Sequence, residues 1–221
     1  MHPLLDDIRL VAFDLDGTLV DSVPDLAAAV DAALVDLDLP PPGEAKVRDW
    51  VGNGSRVLME RALAEALGEP PSASRLEAAH ERFLARYGQA PCVRTRLYPG
   101  AREALDGLAS SGRRLVLVTN KPEAFILPIL RAVGIEQCFA LCLGGDSLPR
   151  RKPDPLPLTH AADRFDVAPS RCLMVGDSRH DIAAGKAAGF RTLAVPYGYN
   201  HGEPVAASRP DAIVESLAEL V

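Results

Sequence analysis

Short, β-rich apolar runs that break off abruptly into polar residues recur along this chain, and that repetition narrows the folds open to it. Val11-Ala-Phe13 ends in Asp14-Leu-Asp16, Leu115-Val-Leu-Val118 in Thr119-Asn-Lys121, a run around Phe139 to Leu143 in Gly144-Gly-Asp146, and Cys172-Leu-Met-Val175 in Gly176-Asp177. Continuously apolar strands of this length are buried on both faces, as in a parallel sheet. Between them lie helical patterns at 101–110, 123–133, 156–165 and 182–188, with a further strand at Thr192–Val195 and a last short helix from Asp211 to Leu220. The expected class is α/β, with five parallel core strands whose carboxyl ends share one edge, where ligands bind.

One interval departs from strand–helix alternation. After the first strand the chain turns helical at Pro24–Leu37, with Ser22 placed to cap it, and Pro40-Pro-Pro-Gly43 then breaks the run. A short helix through Val47 and Trp50 meets Gly52-Asn-Gly54, Ser55 is placed to cap Arg56–Leu67, and Ser74–Tyr87 carries Leu76, Ala79, Phe83 and Tyr87 on one stripe. This predicts an all-helical cap over residues 20–92, inserted into an α/β core made of 1–19 and 93–221. Hinges near Val20 and Arg96 would let the cap close.

Composition narrows the partners. The 221 residues are 48% hydrophobic, ample for a core, and the net charge of -6 opposes general nucleic-acid binding. No apolar run approaches a membrane span, and the opening residues lack the basic start and apolar centre of a secretory signal. The four cysteines show no close pairing and read as reduced core residues. A cytoplasmic protein, monomer or homodimer, with a small soluble ligand is expected.

The strand ends and the loop before a late helix would gather Asp14, Asp16, Thr119, Lys152, Asp177 and Asp181 into one crevice. Four carboxylates cannot crowd there ionised without a compensating cation, and hard oxygen ligands suit magnesium. With such an ion, phosphate-ester hydrolysis is the economical chemistry. One carboxylate attacks phosphorus, a second exchanges the proton of the leaving oxygen, and Lys152 and Thr119 hold the equatorial oxygens. Only four lysines, at 46, 121, 152 and 186, occur among the 24 lysines and arginines, which marks Lys152 out.

Asp14-Leu-Asp-Gly-Thr18, Thr119-Asn120, Lys152-Pro153 and Gly176-Asp-Ser-x-x-Asp181 stand in order along essentially the whole chain. Together they resemble the four motifs of the haloacid dehalogenase superfamily, and within it those of bacterial phosphoglycolate phosphatases. The resemblance implies a Rossmann-like core, Asp14 as nucleophile and Asp16 as general acid and base. It implies magnesium on Asp14, the backbone carbonyl of Asp16 and Asp177, with Asp181 orienting Lys152 and a metal-bound water. Thr119, Asn120 and Lys152 would hold the phosphoryl group. In such caps the inter-helix loop selects the substrate, here Gly52, Asn53 and Gly54, with Arg48 and Arg56 as partners for a substrate carboxylate. The implied reaction is hydrolysis of 2-phosphoglycolate. Amino-sugar phosphates, other sugar phosphates and pyrophosphate are the alternatives that would change only the cap.

Overall fold

The computed structural model describes residues 2–221. Six parallel strands form the core sheet: β1 (Leu10–Phe13), β4 (Arg114–Val118), β5 (Leu141–Leu143), β6 (Cys172–Gly176), β7 (Arg191–Ala194) and β8 (Ala212–Ile213). Their order is β5-β4-β1-β6-β7-β8, so the first strand lies inside the sheet and the topology reverses beside it. All four residues of β1 are buried. Their alternation sends Val11 and Phe13 to one face and Leu10 and Ala12 to the other. Helices α5 (Ala101–Ser110) and α6 (Ile126–Ala132) cover the first face, and α7 (Leu156–Arg164) and α8 (Arg179–Ala187) the second.

The register decides where chemistry can assemble. Phe13 stands opposite Leu117 on β4 and Val175 on β6. The residues just beyond these positions therefore emerge together, and the Asp14 amide donates to the Val175 carbonyl at 3.0 Å. This is the crevice at a topological switch point.

The cap consists of α1 (Val23–Val35), α2 (Glu44–Trp50), α3 (Ser55–Leu67) and α4 (Ala73–Gln89). The expected α4 stripe of Leu76, Ala79, Phe83 and Tyr87 is buried against the other cap helices. The chain leaves the core through β2 (Val20–Asp21) and returns through β3 (Arg96–Leu97), antiparallel to it with Val20 opposite Leu97.

Three local expectations are corrected. Residues 211–220 form β8 and a 3₁₀ turn rather than a helix, because the Asp211 carboxylate takes the Thr192 amide and hydroxyl at 2.7 and 2.8 Å and docks the segment on β7. Ser22 caps no amide, since its hydroxyl goes to Asp16. Gly54, at φ +88°, occupies the cap position that Ser55 was expected to fill. The four cysteines are unpaired. Among the described residues no helix is long and apolar enough to cross a membrane.

Candidate active site

The floor of the site is a buried charge cluster. Lys152, 3% exposed, places its ammonium 3.0 Å from Asp14 Oδ1, 2.7 Å from Asp181 Oδ1 and 2.6 Å from the Val118 carbonyl. Asp177 accepts the Thr18 hydroxyl at 2.6 Å and the Tyr199 amide. Asp181 has two duties. Its Oδ2 accepts the Ser178 amide and hydroxyl, closing a capping box at the start of α8, while Oδ1 faces Lys152.

Oxygen atoms of Asp14, Asp177 and Asp181 lie within 4.8 Å of one another. Burial, opposed by Lys152 and reinforced by Asp181 and Asp16, pushes the Asp14 carboxyl up to about 7. Burial, then Asp181 and Asp14, holds Asp177 well above the usual carboxylate range. One ammonium thus leaves three hard-oxygen donors undercompensated, and the cluster fits a divalent cation. Asp181, expected to stand behind the ligands, is a member of this cluster, whereas the Asp16 carboxylate is not.

Asp16 turns aside instead. Its oxygens receive the Lys121 ammonium at 2.9 and 3.0 Å, and Oδ1 also accepts the Ser22 hydroxyl at 2.5 Å. Burial would lower the Lys121 pKa, but Asp16 and Tyr87 outweigh it and hold the ammonium charged. Thr119 is buried beside them and its hydroxyl accepts the Lys121 amide at 3.2 Å. The Asn120 side chain donates to the Lys152 carbonyl at 3.0 Å and, across to the cap, to the Gly52 carbonyl at 3.1 Å.

Gly52-Asn-Gly54 reaches down on the core. The Asn53 amide nitrogen lies 2.7 Å from His180 Nε2. Burial, above all, drops the His180 pKa to about 4, leaving the ring neutral near pH 7. A half-open cavity of about 40 Å³ lies over Asp14, Asp16, Thr119 and Asn120, lined by Gly52 and Gly54 of this loop and by Leu26, Leu58, Phe83 and Phe125. Arg48 and Arg56 lie outside its walls. Arg48 pairs with Asp21 at 3.2 Å and Glu44 at 3.1 Å, and Arg56 pairs with Glu77 on α4.

A model of the haloacid dehalogenase-like hydrolases matches residues 8–189, from before β1 to just past α8. The chain belongs to this family. A phosphoglycolate phosphatase from Nitrosococcus oceani is 44% identical over 98% of this chain and 96% of its own length. Another from Escherichia coli is 45% identical over 98% of this chain and 92% of its own. A crystal structure from Haemophilus somnus, described as a predicted phosphoglycolate phosphatase, superposes with a TM-score of 0.92 at 40% identity, over 97% of this chain and 96% of that one. The protein is an enzyme, a phosphomonoester hydrolase of the phosphoglycolate phosphatase-like kind.

In this hydrolase the sequence motifs converge, but they leave out several side chains that complete the site. Thr18 closes the first motif, yet its bond to Asp177 spans 159 positions and has no local signature. Lys121 directly follows Thr119-Asn120 and is one of four lysines, which is the signal that could have singled it out. Tyr199 gives its amide to Asp177 and its hydroxyl to Asp21.

Proposed function

We propose that this hydrolase converts 2-phosphoglycolate and water to glycolate and phosphate, with magnesium as its cation and an aspartyl-phosphate on Asp14 as intermediate. What supports the substrate is the chamber over Asp14, whose largely apolar wall carries a single cation among the described residues, Lys121, suited to an ester that bears one small acid group. The names of the full-length relatives point to the same substrate.

Asp14 supplies the attacking oxygen; the bond from phosphorus to the ester oxygen breaks, and Asp16 gives that oxygen its proton. Asp16 then takes a proton from a water that attacks the same phosphorus, and the bond to Asp14 breaks to free phosphate. Lys152, Thr119 and Asn120 orient the phosphoryl group. Asp14 and Asp177, with Asp181 beside them, would hold magnesium, which would supply positive charge to the phosphoryl oxygens. The docked Gly52-Asn-Gly54 loop keeps stray water from the intermediate.

The test is a steady-state comparison, with magnesium, of 2-phosphoglycolate against glucose 6-phosphate, glucosamine 6-phosphate and pyrophosphate. The highest kcat/KM is expected for 2-phosphoglycolate. An equal or higher value for another member of the panel would overturn this substrate.

A further inference from the structure

Two side chains in the chamber wall have capacity that the phosphoryl chemistry leaves unused. Tyr87, on cap helix α4, is 1% exposed, yet its hydroxyl has no hydrogen-bond partner. A buried phenol ordinarily finds one, because leaving it unpaired costs stability. Burial pushes its pKa up to about 12, so the group is a donor. Lys121, from the core, stands against the same ring, its ammonium 4.8 Å from the centroid. Both residues line the chamber, among apolar neighbours that include Leu26 and Phe125.

The two buried lysines differ in what they have left to give. An ammonium has three protons. Lys152 faces three acceptors, on Asp14, Asp181 and Val118. Lys121 bonds both oxygens of the Asp16 carboxylate and otherwise faces Tyr87. Among the described residues no second carboxylate or backbone carbonyl engages it, and it is the one cation in the chamber wall.

We propose that Lys121 and Tyr87 form a carboxylate-binding subsite, each donating a hydrogen bond to one oxygen of the acid group carried by the substrate. The inference rests on the phosphoglycolate reading and names the residues that recognise its acid. In that ester the carboxylate is one methylene from the carbon-bound ester oxygen, so a substrate whose ester oxygen faces Asp16 brings its acid beside Lys121. Without the ammonium, that acid would lie uncompensated in an apolar wall. Lys121 belongs to the core and Tyr87 to the cap, so the bound acid also ties the two together. Esters lacking it leave the Tyr87 hydroxyl unpaired in the closed state.

The experiment compares 2-phosphoglycolate with ethyl phosphate in wild type, Tyr87→Phe and Lys121→Met. Tyr87→Phe keeps the ring and deletes a hydroxyl that has no partner in the free enzyme, so its Tm should equal or exceed the wild-type value. Its kcat/KM for 2-phosphoglycolate should fall about tenfold or more, mainly through KM, because a hydrogen bond to a charged group is lost. Ethyl phosphate should lose a much smaller factor, and Lys121→Met should shrink the ratio between the two esters further. A wild-type preference for 2-phosphoglycolate that persists undiminished in both variants would overturn the subsite. A wild-type enzyme with no preference would instead overturn the substrate reading on which the subsite rests.

Discussion

Asp25 and Thr95 join the two chain segments that connect cap and core. One carboxylate oxygen of Asp25, in the first turn of α1, accepts both the Thr95 amide at 2.7 Å and the Thr95 hydroxyl at 2.6 Å. The Val93 and Arg94 amides also donate to Asp25, at 3.0 and 2.9 Å. The carboxylate thus fastens the outgoing helix to the returning strand just before β3.

Burial of Asp25 favours its neutral form, but the bonds from Thr95, Arg94 and Val93 outweigh it and lower the pKa. A lowered carboxylate pKa stabilises the fold above the unfolded value and loses that contribution as pH falls through the folded value. Asp25→Asn should therefore cost about 2 kcal/mol near neutral pH, because buried donors lose their anionic acceptor. In urea unfolding the gap between wild type and variant should narrow as the medium is acidified below about pH 4, near the unfolded carboxylate pKa. A gap that widens there would remove Asp25 as the fastening group.

Metal affinity should depend on pH in the opposite sense to simple acid stabilisation. Asp14 and Asp177 have raised pKa values in the metal-free protein, so protons compete for the oxygens that a cation needs. A raised carboxylate pKa favours the metal-free fold at low pH and loses that contribution as pH rises through the folded value. Magnesium should therefore raise Tm more at about pH 8 than at about pH 6, and chelation should abolish turnover at both. Thermal melts with and without magnesium check this; a larger shift at the lower pH would show that these carboxylates are not the ligands.

Arg56 provides a contrast to Lys121. Its guanidinium pairs with Glu77 where both side chains are about half exposed. Arg56→Ala should leave the urea midpoint near the wild-type value, because an exposed pair contributes little. It should also leave the ratio of kcat/KM for 2-phosphoglycolate and ethyl phosphate at the wild-type value. A selective loss on 2-phosphoglycolate would move acid recognition from the chamber wall to α3.

The difference between these two cations shows what could be read from the chain alone. Strand ends were legible because apolar runs stop at Asp14, Thr119 and Gly176, a local pattern that survives folding, and parallel register then brings those ends together. The cap stripe ending at Tyr87 was legible for the same local reason. Arg56 turns to the neighbouring cap helix and Lys121 meets Asp16 across 105 positions, and neither partner is named by local sequence, although the place of Lys121 directly after Thr119-Asn120 is a hint that Arg56 lacks. Residues 211–220 failed similarly: a helical pattern was overridden by the bonds from Thr192 to Asp211, made only once β7 exists. Short segments take their conformation from partners that sequence periodicity does not name.

Gly17 offers a test of how rigidly the cluster is held. It adopts φ +87°, and a Cβ there would sit 2.2 Å from Asp177 Oδ2 and 2.9 Å from the Tyr199 ring. Asp177 cannot easily retreat, because Thr18 and the Tyr199 amide hold its two oxygens. Gly112 is the matched control, with φ +78° and nothing within 4 Å of an added Cβ. Gly112→Ala should cost roughly 1 kcal/mol of backbone strain. Gly17→Ala adds overpacking to the same strain and should cost about 3 kcal/mol or more. It should also weaken magnesium binding, since relief of the clash displaces a ligand oxygen. Urea midpoints and magnesium titrations of the two variants separate strain from contact. If Gly17→Ala matches Gly112→Ala in stability and wild type in metal affinity, the Asp177 carboxylate is free to move and its bonds to Thr18 and Tyr199 do not fix it.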